Sequence, residues 1–159
     1  VIEQLIDLGW PVAEAHIQEG IKTVNTVTNF KGRYQIMRES PLTIADVSHN
    51  IDGLSLLIEE LKKLEKRQVY FIYGSVKDKV LDPTFALFPR EWSYFWASSE
   101  NPRSVDAEYL QSLGEKNGLE GSLFANVNEA IMEAKARSGA NDLIVTTGST
   151  FLVAEIDDL

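Results

Sequence analysis

The sequence predicts an α/β domain in which a mostly parallel β-sheet carries helices on both faces, with two further helices before it. The first observation is that short β-branched or aromatic runs alternate with amphipathic helical stretches about five times after residue 33. Such alternation builds βαβ units, whose strands lie parallel. The second is composition: 44% of the 159 residues are hydrophobic and 25% are charged, the ordinary balance of one folded domain.

The charge and residue counts exclude several classes of function. Fifteen Lys and Arg stand against 24 Asp and Glu, and a chain of net charge −9 is repelled by nucleic acids and anionic membranes. With no Cys and only His16 and His49, the chain has neither a disulfide framework nor a cysteine- or histidine-rich metal site. No apolar run approaches the roughly 20 residues that span a bilayer, and no secretory signal is recognisable. We therefore expect a cytoplasmic protein without nucleic-acid or membrane partners.

Residues 1–29 form a region of their own. Apolar residues at helical spacing predict one helix that ends at Gly9-Trp10-Pro11 and a second over 12–24. Because two helices of about 25 residues in total cannot enclose a core, we expect them to pack on the following domain or on another part of a longer protein. The chain also begins with Val1-Ile2-Glu3, without Met and inside an apparent helix, which leads to the same expectation of a longer parent protein.

From residue 33 onward the predicted elements alternate in chain order. Strands are predicted at 34–37, 42–47, 68–73, 92–97, 122–125 and 142–147. Helices are predicted at 53–66, near 84–88, and at 105–117, 127–137 and 149–156. The strand at 42–47 is apolar and β-branched, so we expect it to be buried on both faces. Ligands of such sheets bind beyond the carboxyl ends of the strands, so the loops that follow the strands are the places to search for a site.

The loop DVSHNIDG, residues 46–53, has the highest density of chemically useful side chains. Asp46 ends a strand, where a carboxylate can accept hydrogen bonds from ribose hydroxyls, and His49 can bind an anion or an amino acid. A purely structural interpretation is an Asx-rich helix cap, in which Asn50 or Asp52 caps the next helix and the histidine is solvated. A two-metal phosphoesterase site is a third interpretation, for which one histidine and two acids are too few ligands.

Three other loops offer cations or hydrogen-bond donors. Lys77 and Lys79 follow a buried strand and can reach a phosphate, although the glycine spacing of a Walker A loop is absent. Arg103 lies in a turn after the aromatic strand and can meet an anion or an adenine edge. Ser149 lies between the last strand and its helix, where it can bind a carboxylate. Solvated lysines, a surface turn and an N-cap are the corresponding structural interpretations.

Four short motifs occur in order, each beside a predicted strand end. They are FKGRYQ at 30–35, DVSHN at 46–50, NPRS at 101–104 and TGSTFLVAE at 147–155. Together they resemble the C-terminal domain of the folylpolyglutamate synthase/dihydrofolate synthase family, in the Mur ligase superfamily. The likeness covers residues 29–159, and residues 1–24 resemble the close of the family's central domain. Ser48 and Ile51 depart from the family's frequent Ala or Gly and Pro, whereas Lys77-Asp78-Lys79 keeps its K-D-K/R pattern.

The resemblance implies a Rossmann-like three-layer domain at 30–159, preceded at 1–29 by the end of a central ATPase domain with its linker helices. It implies an ATP-dependent ligase of folate biosynthesis: the carboxylate of dihydropteroate or of a folate is phosphorylated, and the amine of L-glutamate then attacks the acyl phosphate. ATP and Mg²⁺ are the implied cofactors. In this family the P-loop and magnesium ligands belong to the central domain, and this sequence contains no G-x-x-x-x-G-K-[ST].

The resemblance also implies roles for particular residues toward ATP. Arg33 contacts the phosphates and helps to neutralise developing charge, and Asp46 holds the ribose hydroxyls. Lys77 and Arg103 are implied contacts to phosphate and to the nucleotide edge. We expect the chain alone to bind ATP weakly, to contain no self-sufficient catalytic residue and no metal ligand, and to need the central ATPase domain as its partner, with hinge motion near 25–32.

Toward the amino acid, the resemblance implies that His49 and Ser149 place the incoming glutamate. Which of the two reactions the parent protein performs, dihydrofolate synthesis, polyglutamate extension or both, is left open, and so is the identity of the amino acid joined. The competing class of function is a stand-alone α/β nucleotide-binding or regulatory module. In that case residues 1–24 would pack on the chain's own sheet.

Overall fold

The computed structural model describes residues 1–28 and 30–157 and divides the chain into two compact units, Val1–Lys31 and Gly32–Leu159. The first unit consists of α1 (Ile2–Asp7) and α2 (Glu14–Thr28). None of its described residues is buried, in line with the prediction that two such helices enclose no core. Exposed large apolar side chains of this unit are Val1, Ile2, Ile6, Leu8, Trp10, Ile21, Val24, Val27 and Phe30.

Helix α2 continues four residues beyond the predicted end at Val24, through a stretch rich in Thr. Thr is a poor helix former, which is why the sequence predicted an earlier end. The hydroxyl of Thr23 donates to the carbonyl of Glu19 at 2.7 Å, and that of Thr28 donates to Val24. These bonds return to the preceding turn and occupy hydroxyls that otherwise compete with the helix. No helix within 1–28 or 30–157 is long and apolar enough to cross a membrane.

The second unit is a six-stranded sheet with helices on both faces. Its strands are β1 (Gln35–Glu39), β2 (Leu42–Ala45), β3 (Val69–Tyr73), β4 (Ser93–Ala97), β5 (Gly121–Phe124) and β6 (Leu143–Thr147). Its helices are α3 (Ile51–Lys62), α4 (Asp82–Phe85), α5 (Ala107–Lys116), α6 (Val127–Arg137) and α7 (Thr150–Ala154). The predicted α/β fold is therefore confirmed, element by element.

The strand order is β1-β2-β6-β3-β4-β5, and every neighbouring pair except β1–β2 is parallel. The β1–β2 pair is antiparallel because residues 40–41 are too few for the crossover that parallel strands need. Strand β6 lies between β2 and β3, and all five of its residues are buried. Strand β2 is buried at Thr43, Ile44 and Ala45, which agrees with its predicted burial on both faces.

Two apolar clusters, one on each face of the sheet, make up the core. Alternate strand residues point to opposite faces, so Phe71 and Val145 join one cluster while Ile72 and Ile144 join the other. Helices α3, α4 and α5 cover the first face, and α6 and α7 cover the second. The aromatic run of β4 belongs to the core: its Trp96 is fully buried and stacks on Tyr94, with ring centroids 5.1 Å apart.

The carboxyl ends of β3 and β6 approach each other closely at two glycines. Gly74 donates its N–H to the carbonyl of Thr147 at 3.3 Å. Gly148 has φ +104°, and a Cβ there would overlap the carbonyl oxygen of Gly74 and the ring of Tyr73. A Cβ on Gly74 would itself lie 2.5 Å from the carbonyl oxygen of Ala97. Only glycine can occupy position 148, because this position has a positive φ and leaves no space for a Cβ.

Replacing Gly148→Ala should therefore lower the free energy of unfolding by about 3 kcal/mol, from backbone strain together with overpacking. Chemical denaturation followed by tryptophan fluorescence measures this change. The matched control is Gly139→Ala, because a Cβ at Gly139 meets nothing nearer than Asp142 Oδ2 at 3.7 Å. Equal unfolding midpoints for the two variants would contradict the close approach of β3 and β6.

Candidate functional site

The loop after β2 is tied to the end of β6. The carbonyl oxygen of Ser48 accepts the N–H of Gly148 at 3.0 Å and the hydroxyl of Thr147 at 3.1 Å. At the loop's far end Asn50 caps α3 by accepting the N–H of Gly53 at 2.8 Å, so the predicted capping role of this residue is confirmed. The segment between these two anchors carries His49, whose position is thereby fixed relative to the start of α7.

The carboxylate of Asp46 organises the edge of the site. Its Oδ1 accepts the N–H of Ser48 and its Oδ2 accepts that of Tyr34, both at 2.7 Å, and the residue is 7% exposed. A buried carboxylate needs such donors, and bonds of this kind are stronger than neutral ones. Each oxygen keeps a second lone pair for a hydroxyl. The residue predicted to hold ribose thus also has a structural task that the sequence did not indicate.

Arg33 lies one residue before Tyr34, in a turn pinned against the end of β2. Gly32 in this turn has φ +76°, accepts the N–H of Val47 at 2.8 Å and donates to Gln35 Oε1 at 2.8 Å. The side chain of Arg33 is exposed. Because Asp46 bonds the N–H of the next residue, the turn of Arg33 and the carboxylate of Asp46 are held together, as their predicted common ligand requires.

A cavity of about 350 Å³ opens at the carboxyl edge of the sheet, within the size range of small-molecule sites. Three of the predicted site residues line it: His49, Ser149 and Arg103. The other lining residues are Val76, Asp78, Lys79, Thr150 and Phe151. We call this cavity the edge pocket. The structure therefore brings together both residues predicted to bind glutamate and adds to them an arginine that was predicted to contact the nucleotide.

His49 and Ser149 present defined polar atoms to the edge pocket. Nδ1 of His49 lies 2.9 Å from the carbonyl oxygen of Val47, so in the neutral ring Nδ1 carries the proton and Nε2 is the acceptor. Oγ of Ser149 accepts the N–H of Phe151 at 3.1 Å and caps α7, while its own proton can still be donated. One acceptor and one hydroxyl donor suit a ligand that has both an amine and a carboxylate.

The two predicted cations of these loops lie in different places, Arg103 in the edge pocket and Lys77 outside it. Arg103 forms an ion pair with Asp78 of 2.8 Å between Nη2 and Oδ2, and its guanidinium lies 5.9 Å from the ring centroid of Phe151. Lys77 lies outside the edge pocket: its Nζ donates to the carbonyl of Pro102 at 3.3 Å, and it lines a neighbouring cavity. Lys79, the alternative phosphate contact, lines both cavities.

A second cavity and the placement of potential metal-binding groups bear on the choice of site. A cavity of about 460 Å³ at the opposite, amino-terminal edge of the sheet is lined by Arg67, Arg137 and Asn141 among others, and holds none of the predicted site residues. Within 1–28 and 30–157, no group of three or more His, Asp or Glu residues is placed to hold a metal ion. The edge pocket is thus the cavity where three of the six predicted side chains, His49, Ser149 and Arg103, meet.

The sequence of the chain matches a known protein family. The family model described as Mur ligase, glutamate ligase domain matches residues 32–150, about three-quarters of the chain. The chain belongs to this family.

Individual members of the family have a similar sequence and fold. The chain is 33% identical over 153 residues to the dihydrofolate synthase/folylpolyglutamate synthase of Escherichia coli K12, which covers 93% of this chain and 34% of the relative. The solved structure of E. coli FolC with DHPP and ADP superposes with a TM-score of 0.79 at 32% identity, covering 96% of this chain and 36% of that one. The solved structure of the Yersinia pestis bifunctional folylpolyglutamate synthase/dihydrofolate synthase with AMPPNP and Mn superposes with a TM-score of 0.76 at 26% identity. It covers 91% of this chain and 34% of that one.

The chain spans about a third or less of the length of the curated relatives that it matches. The matched region of this glutamate ligase domain runs from the turn of Arg33 to the first residue of α7, so all six predicted site residues fall inside it. Asp78 and Phe151 are among the pocket residues that sequence reasoning missed. The Asp in the retained Lys77-Asp78-Lys79 pattern was the available signal, but no local pattern indicates that it pairs with Arg103.

The structural role of Asp46 can be tested by Asp46→Asn. An amide offers one acceptor and places an NH₂ group against the second backbone N–H, so the variant should unfold with a free energy lower by about 2 kcal/mol. Thermal denaturation measures the loss, and amide hydrogen exchange should speed up at Tyr34 and Ser48. The control is Asp106→Asn, an N-cap of α5 whose side chain makes no capping bond. If both substitutions cost equally little, Asp46 does not hold the turn of Arg33.

Proposed function

We propose that this chain is the C-terminal domain of an ATP-dependent ligase that joins L-glutamate to dihydropteroate, to folates, or to both. The observation that carries the proposal is the edge pocket, in which His49, Ser149 and Arg103 converge in a chain of the glutamate ligase domain family. The relatives named above are folylpolyglutamate and dihydrofolate synthases, which supports the choice of substrates. We further propose that the full enzyme contains a central ATPase domain and that this chain works only together with it.

ATP and a divalent metal ion are the proposed cofactors, with Mg²⁺ as the ion. The support is that relatives bind ADP, or AMPPNP together with Mn. The described residues of this chain contain no group of three or more His, Asp or Glu side chains placed to hold a metal ion. We therefore assign the metal ligands to the proposed central domain. Because the reaction consumes ATP, a cytoplasmic location is part of the same proposal.

On the ATP side, this chain supplies Arg33 and Asp46. Arg33 is exposed on a fixed turn, where its guanidinium can bind phosphate oxygens in a bidentate manner and offset negative charge as the phosphoryl group moves to the acceptor carboxylate. The free lone pairs of Asp46 accept ribose hydroxyls. Lys79, at the border of the edge pocket, suits a phosphate contact better than Lys77, whose Nζ is engaged by Pro102.

On the amino-acid side, the edge pocket holds the nucleophile. Nε2 of His49 accepts a hydrogen bond from the amine of glutamate, and the hydroxyl of Ser149 donates to a carboxylate. Arg103 binds a second carboxylate, which replaces its predicted contact to the nucleotide because it lines the same pocket as the other two. With the amine fixed in this way, attack on the acyl phosphate forms the amide bond and expels phosphate. Positioning of the two reactants supplies much of the rate gain.

The proposal is tested in the protein that contains this chain, with ATP, L-glutamate and dihydropteroate or a folate. ADP release should depend on glutamate, and labelled glutamate should appear in the product. Arg33→Ala should lower kcat/KM by about 100-fold, because one preorganised charge contact to the moving phosphoryl group is lost. The control is Arg38→Ala, an exposed arginine five residues further on in β1, which should keep its full rate.

Glutamate-independent ADP release, or equal rates for Arg33→Ala and Arg38→Ala, would contradict the proposal. The competing function, a stand-alone nucleotide-binding or regulatory module, predicts tight ATP binding by the 159-residue chain and no ligation in any context. The ligase proposal predicts weak ATP binding and no turnover by that chain. Isothermal titration of the chain with ATP separates the two.

A further inference from the structure

The loops after β3 and β4 are joined into one unit at the mouth of the edge pocket. Val76 and Ser104 form an antiparallel bridge. On either side of it, Lys77 donates its N–H to the carbonyl of Arg103, and Val105 donates to Ser75, each at 2.9 Å. The backbones of the two loops therefore hold each other in register. This register brings the two loops close enough for the side chains of Asp78 and Arg103 to meet, although 25 residues separate them in the chain.

The side chain of Arg103 is constrained from two directions. Asp78 Oδ2 accepts one of its N–H groups at 2.8 Å, and Phe151 lies beneath the guanidinium with 5.9 Å between Cζ and the ring centroid. The backbone of Phe151 is anchored at the start of α7, since its N–H donates to the capping hydroxyl of Ser149 at 3.1 Å. A guanidinium held by a carboxylate on one side and by a ring on the other keeps a defined plane, which an unconstrained arginine does not.

The ion pair has little value for folding stability. The side chains of Arg103 and Asp78 are 59% and 53% exposed, and solvated pairs of this kind contribute little to the free energy of unfolding. The backbone bonds between the two loops persist without it. The pair is therefore better explained by what it does to the pocket that both residues line.

We propose that Asp78 is a positioning residue for the proposed glutamate site: it holds Arg103 in the orientation that binds a substrate carboxylate. The inference rests on the proposed function. An arginine has five N–H donors, and Asp78 takes one, so two parallel donors can still meet a carboxylate. Asp78 also places a negative charge beside two cations, Arg103 and Lys79, which favours an amino acid with a single side-chain carboxylate over a more highly charged anion.

Asp78 is suited to this part because it is ionised over the working range. The backbone N–H of Asp78 itself, and then the nearby Arg103 and Lys79, hold the pKa of its carboxyl below the usual value. It therefore remains an acceptor for Arg103 wherever the enzyme works near neutral pH. A carboxamide keeps an acceptor oxygen at the same place without the charge, whereas alanine keeps neither. This difference separates positioning by a hydrogen bond from an effect of charge.

The test uses the ligase that contains this chain. Asp78→Ala should raise the KM for glutamate about tenfold, with kcat and the KM for ATP changed less than about twofold, because only the grip on the amino acid is loosened. Asp78→Asn should restore KM to within about twofold of wild type. In an Arg103→Ala background, Asp78→Ala should add nothing, since the two residues act as one unit. The matched control is Asp82→Ala, another exposed aspartate in an ion pair, with Lys116 at 3.2 Å.

A second measurement reports on positioning without ligation. The ¹⁵N heteronuclear NOE of Arg103 Nε should be that of an ordered group in wild type and Asp78→Asn, and that of a mobile group in Asp78→Ala. The inference is overturned if the KM for glutamate is unchanged in Asp78→Ala. It is equally overturned if Asp78→Asn raises that KM as much as Asp78→Ala does. A wild-type enzyme that joins no glutamate defeats the proposed function instead, and the NOE comparison then still decides whether Asp78 orders Arg103.

Discussion

The close approach of two backbones at Gly74 and Gly148 is the constraint on which the carboxyl edge of this sheet depends. Strands β3 and β6 end side by side, and the space for a side chain at Gly148 is already taken by the carbonyl of Gly74 and the ring of Tyr73. Closing this edge lets the N–H of Gly148 reach Ser48 in a third loop. The pocket residues His49 and Ser149 are neighbours of these two backbone atoms, so their relative position follows from main-chain bonds.

The cations of the proposed site are also held in place by local contacts. The chain carries a net charge of −9, yet the proposed ligands are anions, so attraction must come from a few cations in fixed places. Arg33 is fixed by the turn that Asp46 anchors, and Arg103 by Asp78 and Phe151. In each case a carboxylate holds a cationic segment in place. In the proposed site the acidic residues therefore assist the binding of anions by holding cationic groups in a defined orientation.

The fold was predictable because local signals and sheet burial agree along most of the chain. Apolar periodicity located β2, β3, β4 and β6, whose burial forces a clear pattern, and helix α6 was located to the residue. Helix α2 was predicted too short, since the bonds from Thr hydroxyls to the preceding turn depend on the helix already being there. The six candidate site residues were predicted from short motifs and loops at strand ends, and three of them line the edge pocket. The placement of Lys77 outside the edge pocket, and of Arg103 inside it, was not predicted.

That remaining part of the site lies beyond sequence reasoning for a physical reason. A motif reports which residues occur near a strand end, but the direction of a side chain depends on partners far away in the chain. The side chain of Lys77 lies outside the edge pocket, where its Nζ donates to the carbonyl oxygen of Pro102, a residue 25 positions further along the chain. The bridge between Val76 and Ser104 positions the backbone of both the lysine and the arginine. Their side chains then take different partners, the carbonyl of Pro102 for Lys77 and the carboxylate of Asp78 for Arg103, and only Arg103 lines the edge pocket. Which cation lines the edge pocket is thus decided by contacts between two loops that lie far apart in the chain.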